Sequence, residues 1–255
     1  MANHCAGEQH SDSEVVGLPV QNHRLQLNHK AKCHILKIGH EKTRVVLIDD
    51  AFSELAAVQD MAAELIYEQE SATWYPGVRA RCPDVLREAL LQMTTGVIKQ
   101  AYHLADHEKL ADQGSWISIA STPAKELHPL QCVPHFDSQH KTDFAIMLYA
   151  GRRSFQGTGF YRHNPTGFEN ITPDRWPDFE AARTSYTPET GHRIQDYFHH
   201  SNDEYTLMGK IDYRPNRLLI YPGTLLHSGL IDAGADLDTS PLTGRLTVNI
   251  FAGVN

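Results

Sequence analysis

The stretch Tyr221-Pro222-Gly223-Thr224-Leu225-Leu226-His227-Ser228-Gly229 places one histidine between a turn and a glycine, near the end of a chain of 255 residues. A second stretch, Arg245-Leu246-Thr247-Val248-Asn249-Ile250-Phe251, follows it and has the residue content of a β-strand. His227 is thus followed by Arg245 at the start of the next strand. This order indicates a binding site built on a β-sheet.

A matching upstream motif is His135-Phe136-Asp137, which precedes the apolar run Phe144-Ala145-Ile146-Met147-Leu148-Tyr149. In an extended segment residues i and i+2 point the same way, so His135 and Asp137 can bind one ion. Two imidazoles and one carboxylate hold a divalent metal on one face and leave other positions open, as in non-heme Fe(II) oxygenases. We therefore predict a metal site of His135, Asp137 and His227. The other His-x-Asp, His10-Ser11-Asp12, lies in a polar stretch without a strand pattern and is interpreted as chance.

Several segments resemble the 2-oxoglutarate/Fe(II) oxygenase superfamily of the double-stranded β-helix type, and more narrowly a largely uncharacterised bacterial family within it. The resemblance runs from about residue 45 to the C-terminus. The matching segments are Val46-Leu47-Ile48-Asp49-Asp50-Ala51-Phe52, Tyr75-Pro76-Gly77-Val78-Arg79-Ala80, Pro134-His135-Phe136-Asp137-Ser138, Gly157-Thr158-Gly159-Phe160-Tyr161-Arg162-His163, Gly223-Thr224-Leu225-Leu226-His227-Ser228-Gly229 and Gly244-Arg245-Leu246-Thr247-Val248-Asn249.

The resemblance implies Fe(II), 2-oxoglutarate as co-substrate and O₂, with ascorbate as the reductant in vitro. Arg245 is expected to bind the distal carboxylate of 2-oxoglutarate in a two-pronged pair, and Thr247, on the same face of the strand, to add a hydroxyl. Tyr149 is a further candidate for contact with 2-oxoglutarate.

The organisation predicted is a single α+β domain with a double-stranded β-helix (jelly-roll, cupin-like) core and flanking N-terminal helices. Residues 1–40 are predicted to form a polar, histidine-rich extension and residues 41–255 the domain. An irregular segment rich in aromatic residues, at about 155–205, is predicted to cover the opening of the metal site. A first strand is expected at Arg44–Ile48. One helix is expected after Ser53, with Leu65 and Ile66 in its buried stripe, and another after Pro83, capped by Asp84.

The net charge of −8 argues against nucleic-acid or anionic-membrane partners, which require a basic surface. Four scattered cysteines indicate reduced thiols, and neither a secretory signal nor a membrane span is recognisable. We therefore expect a cytoplasmic protein with a small-molecule substrate. The sequence carries no signal for an oligomeric state.

Two arginines are candidates for substrate contact. Arg79 lies in the turn-like stretch Tyr75–Arg81 and could grip a substrate anion, and Arg162 belongs to a strand expected along the mouth of the barrel. Hydroxylation of a small amino-acid-like or peptide-like metabolite is the favoured reaction. A protein side-chain hydroxylase and a non-enzymatic, cupin-like metal-binding barrel remain alternatives, and the presence of Arg245 counts against the last.

Overall fold

A computed structural model describes residues 25–70, 73–188 and 194–254 of the chain. Ten strands and three α-helices form the ordered framework. The strands are β1 (Lys32–Ile38), β2 (Thr43–Asp49), β3 (Gly77–Arg81), β4 (Leu110–Ala120), β5 (Asp143–Tyr149), β6 (Thr158–His163), β7 (Tyr205–Ile211), β8 (Leu218–Pro222), β9 (His227–Gly229) and β10 (Leu246–Val254). The helices are α1 (Leu55–Ala63), α2 (Asp84–Tyr102) and α3 (Trp176–Ser185).

The strands form two sheets that are antiparallel throughout. The larger sheet has seven strands in the order β1-β2-β8-β5-β10-β4-β3, and the smaller has three in the order β7-β6-β9. An isolated bridge between His135 and His227 adds one more pairing beside β9. The result is a mostly β protein with few helices, which agrees in part with the predicted α+β domain.

Side chains along the strands of the large sheet alternate between its two faces, and each face packs in a separate apolar layer. On β2, Val46 and Ile48 pack with α1 and α2, and on the opposite face Val45 and Leu47 pack with the small sheet. Burying both faces of a sheet in this way requires apolar residues at successive positions, which the run Val45-Val46-Leu47-Ile48 supplies. The two sheets therefore lie face to face, with α1 and α2 behind the larger one.

The two N-terminal helices form nearly where the sequence predicts them, with two differences. The first helix starts after Glu54 and ends at Ala63, so Leu65 lies beyond it and Ile66 is 83% exposed. The predicted burial of Ile66 is therefore wrong. The second helix begins at Asp84 after Pro83, and Asp84 is its first helical residue, not its cap. In the described part of the chain, no helix combines the length and apolarity needed to cross a membrane.

The predicted boundary at residue 40 falls too late, because β1 lies before it and pairs with β2 along seven positions. The turn between these strands is fixed by Glu169, whose buried carboxylate accepts the backbone N–H groups of His40 at 2.8 Å and Glu41 at 2.9 Å. Gly39 has φ +71° there, and a Cβ at this position would collide with the Glu169 carboxylate. The Leu226 N–H in turn donates to the Glu169 carbonyl at 2.8 Å. One residue thus joins the β1–β2 turn to the strand that carries His227.

The segment predicted as an irregular cover contains regular structure. It includes β6, which is the central strand of the small sheet, and α3. Trp176, Phe179 and Arg183 of α3 line the cavity between the sheets, so this helix closes part of it.

Candidate metal centre and anion pocket

A cavity of about 730 Å³ lies between the two sheets. Its wall on the large sheet comes from residues of β4, β5 and β10, including Ser118, Met147 and Asn249. The small sheet contributes Thr158 and the residues His227 to Gly229. A volume of this size is typical of small-molecule sites, which span roughly 300–1,000 Å³.

His135, Asp137 and His227 meet on the wall of this cavity, and one ligand atom from each lies within 4.8 Å of the others. The Nε2 atoms of His135 and His227 lie 3.9 and 3.6 Å from the two oxygens of Asp137. Two metal–ligand bonds of about 2.1 Å span up to about 4.2 Å, so both pairs are close enough to share one ion. The sequence-predicted triad is thus brought together in space.

Backbone pairing positions the three side chains. His135 and His227 exchange N–H···O bonds at 2.9 and 2.8 Å, and the Asp137 N–H donates to the Gly223 carbonyl at 2.7 Å. The His227 Nδ1 lies 2.8 Å from the Leu225 carbonyl. Only a protonated nitrogen can donate there, so Nδ1 carries the proton and Nε2 keeps its lone pair toward Asp137.

The electrostatics of this group favour a cation. Burial lowers the pKa of His227 to about 4 and keeps this imidazole neutral. The pKa of His135 is also lowered, by partial burial and by the neighbouring His227, although 53% of its side chain is exposed. Burial also raises the pKa of Asp137 to about 6, and its side chain is only 15% exposed. Neutral imidazoles and a desolvated carboxylate without a cation are the forms that a divalent ion binds and neutralises.

Arg245 and Thr247 also lie on the cavity wall. Arg245 is buried, and its Nε and Nη2 donate to the carbonyls of Gln156 and Gly157 at 3.1 and 3.0 Å. No carboxylate in residues 25–70, 73–188 and 194–254 forms an ion pair with it, and Nη1 makes no protein hydrogen bond within those ranges. A buried guanidinium without an anion is costly, so the pocket is suited to receive one.

Tyr75 is a member of this pocket that the sequence did not single out. Its hydroxyl is buried, makes no short hydrogen bond to any described residue, and lies near enough to the Thr247 hydroxyl and to Arg245 for both to act against the rise in its pKa. Burial raises its pKa, so the group stays a neutral O–H donor. The signal available in sequence was the turn Pro76-Gly77, which directs the preceding tyrosine across the edge of the sheet.

Tyr149 lies one layer behind the wall. It is fully buried, its hydroxyl pairs with Thr158 at 2.7 Å, and its ring stacks on Tyr213. Thr158 lines the cavity, but Tyr149 does not. The expectation that Tyr149 reaches the co-substrate directly is therefore corrected to a supporting position.

The two predicted substrate arginines have different positions. Arg79 lines the cavity, but it lies in β3 and not in a loop, because β3 adds to the edge of β4 with Arg79 opposite Ser118. Gly77 permits this pairing, since a Cβ there would collide with the Ile119 carbonyl. Arg162 is not on the cavity wall, and its Nη1 lies 3.1 Å from Nδ1 of His40. Successive side chains of a strand alternate between faces, and Arg162 occupies the outward face of β6.

Fold and site together describe a two-sheet β protein with a candidate metal centre and an anion pocket in one cavity. The chain belongs to the family described as "Family of unknown function (DUF6445)", whose profile matches residues 29–252. No curated protein matches the sequence.

Several solved structures share the general arrangement at low identity. HygX from Streptomyces hygroscopicus, solved with nickel and 2-oxoglutarate bound, is 10% identical, with a TM-score of 0.47 and coverage of 84% of each chain. SnoK, a non-heme alpha-ketoglutarate-dependent carbocyclase from nogalamycin biosynthesis, is 13% identical, with a TM-score of 0.48 over 84% of this chain and 81% of its own. An oxidoreductase of the 2OG-Fe(II) oxygenase family from Burkholderia pseudomallei is 10% identical, with a TM-score of 0.41 and coverage of 82% and 84%. These likenesses are too distant to assign a reaction, so the chemistry rests on the side chains themselves.

Proposed function

We propose that the protein is a non-heme Fe(II)- and 2-oxoglutarate-dependent dioxygenase with a double-stranded β-helix core, and that it hydroxylates a small molecule. The observation that carries the proposal is the combination of the His135, Asp137 and His227 group with the unpaired Arg245 in the same cavity. The metal-binding triad without the arginine would also be compatible with a non-enzymatic, cupin-like metal-binding barrel. The buried arginine adds a receptor for an organic acid beside it.

In this proposal His135, Asp137 and His227 hold Fe(II) through the two Nε2 atoms and a carboxylate oxygen. When bound, Fe(II) with 2-oxoglutarate and O₂ supplies the oxidation of a C–H bond to C–OH, with succinate and CO₂ as co-products. The protein orients the reactants and excludes water. The hydrogen bond from His227 to Leu225 keeps the imidazole in the tautomer that this role needs.

The anion pocket is proposed to bind the distal carboxylate of 2-oxoglutarate. Nη1 of Arg245 supplies charged N–H donors, and the Tyr75 hydroxyl supplies another. The Thr247 hydroxyl, whose bond to the Ser118 carbonyl is long at 3.5 Å, can turn to add a further donor. Thr247 is oriented by Asn249, whose amide donates to the Thr247 hydroxyl at 3.0 Å and to that of Ser118 at 3.1 Å. The carbonyls of Gln156 and Gly157 fix the guanidinium, so little side-chain freedom is lost on binding.

A small-molecule substrate fits the dimensions of the cavity and its closure by α3. Arg79 is kept as a proposed substrate contact because it lies on the wall, whereas Arg162 lies against His40 and is no longer proposed. The cytoplasmic location inferred from the cysteines stays a prediction.

The test is anaerobic titration of the apoprotein with Fe(II) and 2-oxoglutarate, followed by exposure to O₂. We expect a weak visible absorption band from the chelated 2-oxo acid and, with O₂, slow release of succinate. Metal binding without any effect of 2-oxoglutarate would support the cupin-like alternative and contradict the proposal. Activity on whole proteins but not on metabolite mixtures would support a protein side-chain hydroxylase.

A further inference from the structure

The guanidinium of Arg79, a residue of the cavity wall, has an edge that no described side chain uses. Its side chain is only 7% exposed. Nη1 donates to Glu70 at 3.2 Å and to Thr73 at 3.0 Å, whereas Nε is buried without any partner. The side of the group formed by Nε and Nη2 therefore carries no protein acceptor among the described residues. That edge has the two parallel N–H bonds that fit a carboxylate.

A second unpaired donor lies next to it. The indole Nε1 of Trp116 is buried without a hydrogen-bond partner, and Trp116 also lines the cavity. The Arg79 guanidinium carbon lies 4.0 Å from the centre of the Trp116 ring. Each buried donor left without an acceptor destabilises the folded chain. Two such donors, adjacent and on one cavity wall, indicate a site built for a ligand with acceptor atoms.

The ion pair between Arg79 and Glu70 leaves the Nε–Nη2 edge of the guanidinium without an acceptor. Glu70 contacts a single guanidinium nitrogen and is 35% exposed, so solvent screens part of the attraction. The geometry is not that of a two-pronged pair, which would occupy two nitrogens of Arg79 at once. The Glu70 and Thr73 contacts instead fix Nη1, while the guanidinium carbon lies 4.0 Å from the centre of the Trp116 ring.

We propose that the substrate carries a carboxylate, that this group binds the Nε–Nη2 edge of Arg79, and that the Trp116 N–H is an additional donor. This anchor is separate from Arg245, which holds the co-substrate in the proposed function. The body of the substrate then lies among the aromatic side chains of the cavity, which include Trp74, Phe136, Trp176, Phe179 and Phe251. The substrate class inferred is therefore an acid with an apolar or aromatic body. The inference rests on the proposed function only in assuming which reaction the bound acid undergoes.

The test is calorimetric titration of the full-length protein, saturated with Ni(II) and 2-oxoglutarate, with 3-phenylpropionate and indole-3-propionate. Their primary amides, which have nearly the same shape without the charge, are the matched neutral probes. We expect the acids to bind at least about tenfold more tightly than the amides, because a charged two-pronged pair is lost in the amides. Arg79→Gln should abolish this difference, and Trp116→Phe should reduce the binding of the acids while keeping an aromatic ring.

Arg81→Gln is the matched control. Arg81 is exposed, lies on the same strand and is also close to the Trp116 ring at 5.1 Å, but it does not line the cavity. This variant should bind the acids as the wild type does. Equal binding of acids and amides, absence of acid binding at millimolar concentration, or full binding by Arg79→Gln would each overturn the inference.

The same titrations without metal and 2-oxoglutarate, in the wild type and in Arg245→Lys, separate this inference from the proposed function. If the acids still bind more tightly than the amides under those conditions, and only when Arg79 is present, the carboxylate site is supported even if 2-oxoglutarate is not the co-substrate.

Discussion

Replacing Tyr75 by phenylalanine should separate stability from co-substrate affinity. The Tyr75 hydroxyl is buried near Arg245 and makes at most a long contact with the Thr247 hydroxyl within the described chain. Its only acceptor in the proposed function is the distal carboxylate of 2-oxoglutarate. The variant keeps the ring and removes only this oxygen, so the packing against β4 is unchanged.

The expected magnitudes follow from that environment. A hydrogen bond to a charged group contributes about 1.5–3 kcal/mol, so the dissociation constant of 2-oxoglutarate should rise by roughly 10- to 150-fold. The free energy of unfolding should not fall, because no protein hydrogen bond is lost. Removing an unsatisfied buried hydroxyl favours the folded state by about 1 kcal/mol, which raises Tm by about 2–4 °C in a chain of this size.

The assay pairs anaerobic titration of the Fe(II) protein with 2-oxoglutarate and thermal unfolding of the metal-free protein. Tyr213→Phe is the control, because the Tyr213 hydroxyl is also close to Arg245 but donates to the Leu246 carbonyl and accepts from the Gly151 N–H, both at 2.6 Å. That variant should lose stability by about 1–3 kcal/mol for each group left unpaired. A Tyr75→Phe protein that binds 2-oxoglutarate normally, or that unfolds at a lower temperature, would show that the hydroxyl has a structural role instead.

Four further outcomes are expected. His227→Ala should abolish the visible band of the Fe(II) and 2-oxoglutarate complex, and an unchanged band would exclude this histidine as a ligand. Arg245→Lys keeps the charge but loses the planar fit, so 2-oxoglutarate should bind about 1.5–3 kcal/mol more weakly in the same titration. Asp137→Gly should lose hydroxylation, and the unmodified enzyme in chloride buffer should give no chlorinated product by mass spectrometry, because the carboxylate fills the position that a halide would need. Leu90→Ala should lower the free energy of unfolding by about 2–5 kcal/mol in urea denaturation, because the leucine is fully buried between α2 and the large sheet.

The sequence predicts the parts of the site that depend on local spacing. His135 and Asp137 share a face because an extended chain repeats every two residues, and Arg245 and Thr247 share a wall for the same reason. The assignment of Arg162 to the cavity failed because alternation alone does not say which face of a strand is inward. That choice is made by what packs on each face of the strand, and Arg162 meets His40 of the β1–β2 turn on the face away from the cavity.

Features that depend on distant partners were not predictable from one sequence. Arg79 was expected in a loop because Pro76-Gly77 is a turn signal, but the free edge of β4 accepts the following residues as a strand. Trp116 belongs to a recognisable strand, yet its unpaired indole N–H becomes apparent only when its surroundings are known. The β1 strand was missed because its exposed residues give it little apolar signal, and its order comes from pairing with β2.

The carboxylate of Glu169 sets a lower limit on how far the chain can be shortened. A truncated protein that starts at residue 43, after the β1–β2 turn, would leave this fully buried carboxylate without its two backbone donors, while its own carbonyl still pairs with Leu226 next to His227. Such a deletion would therefore be expected to disturb the position of His227, the proposed iron ligand, although it removes no residue of the cavity wall. The smallest unit able to fold with an intact centre has to begin ahead of β1, which makes the N-terminal hairpin part of the folded domain and not an attachment to it.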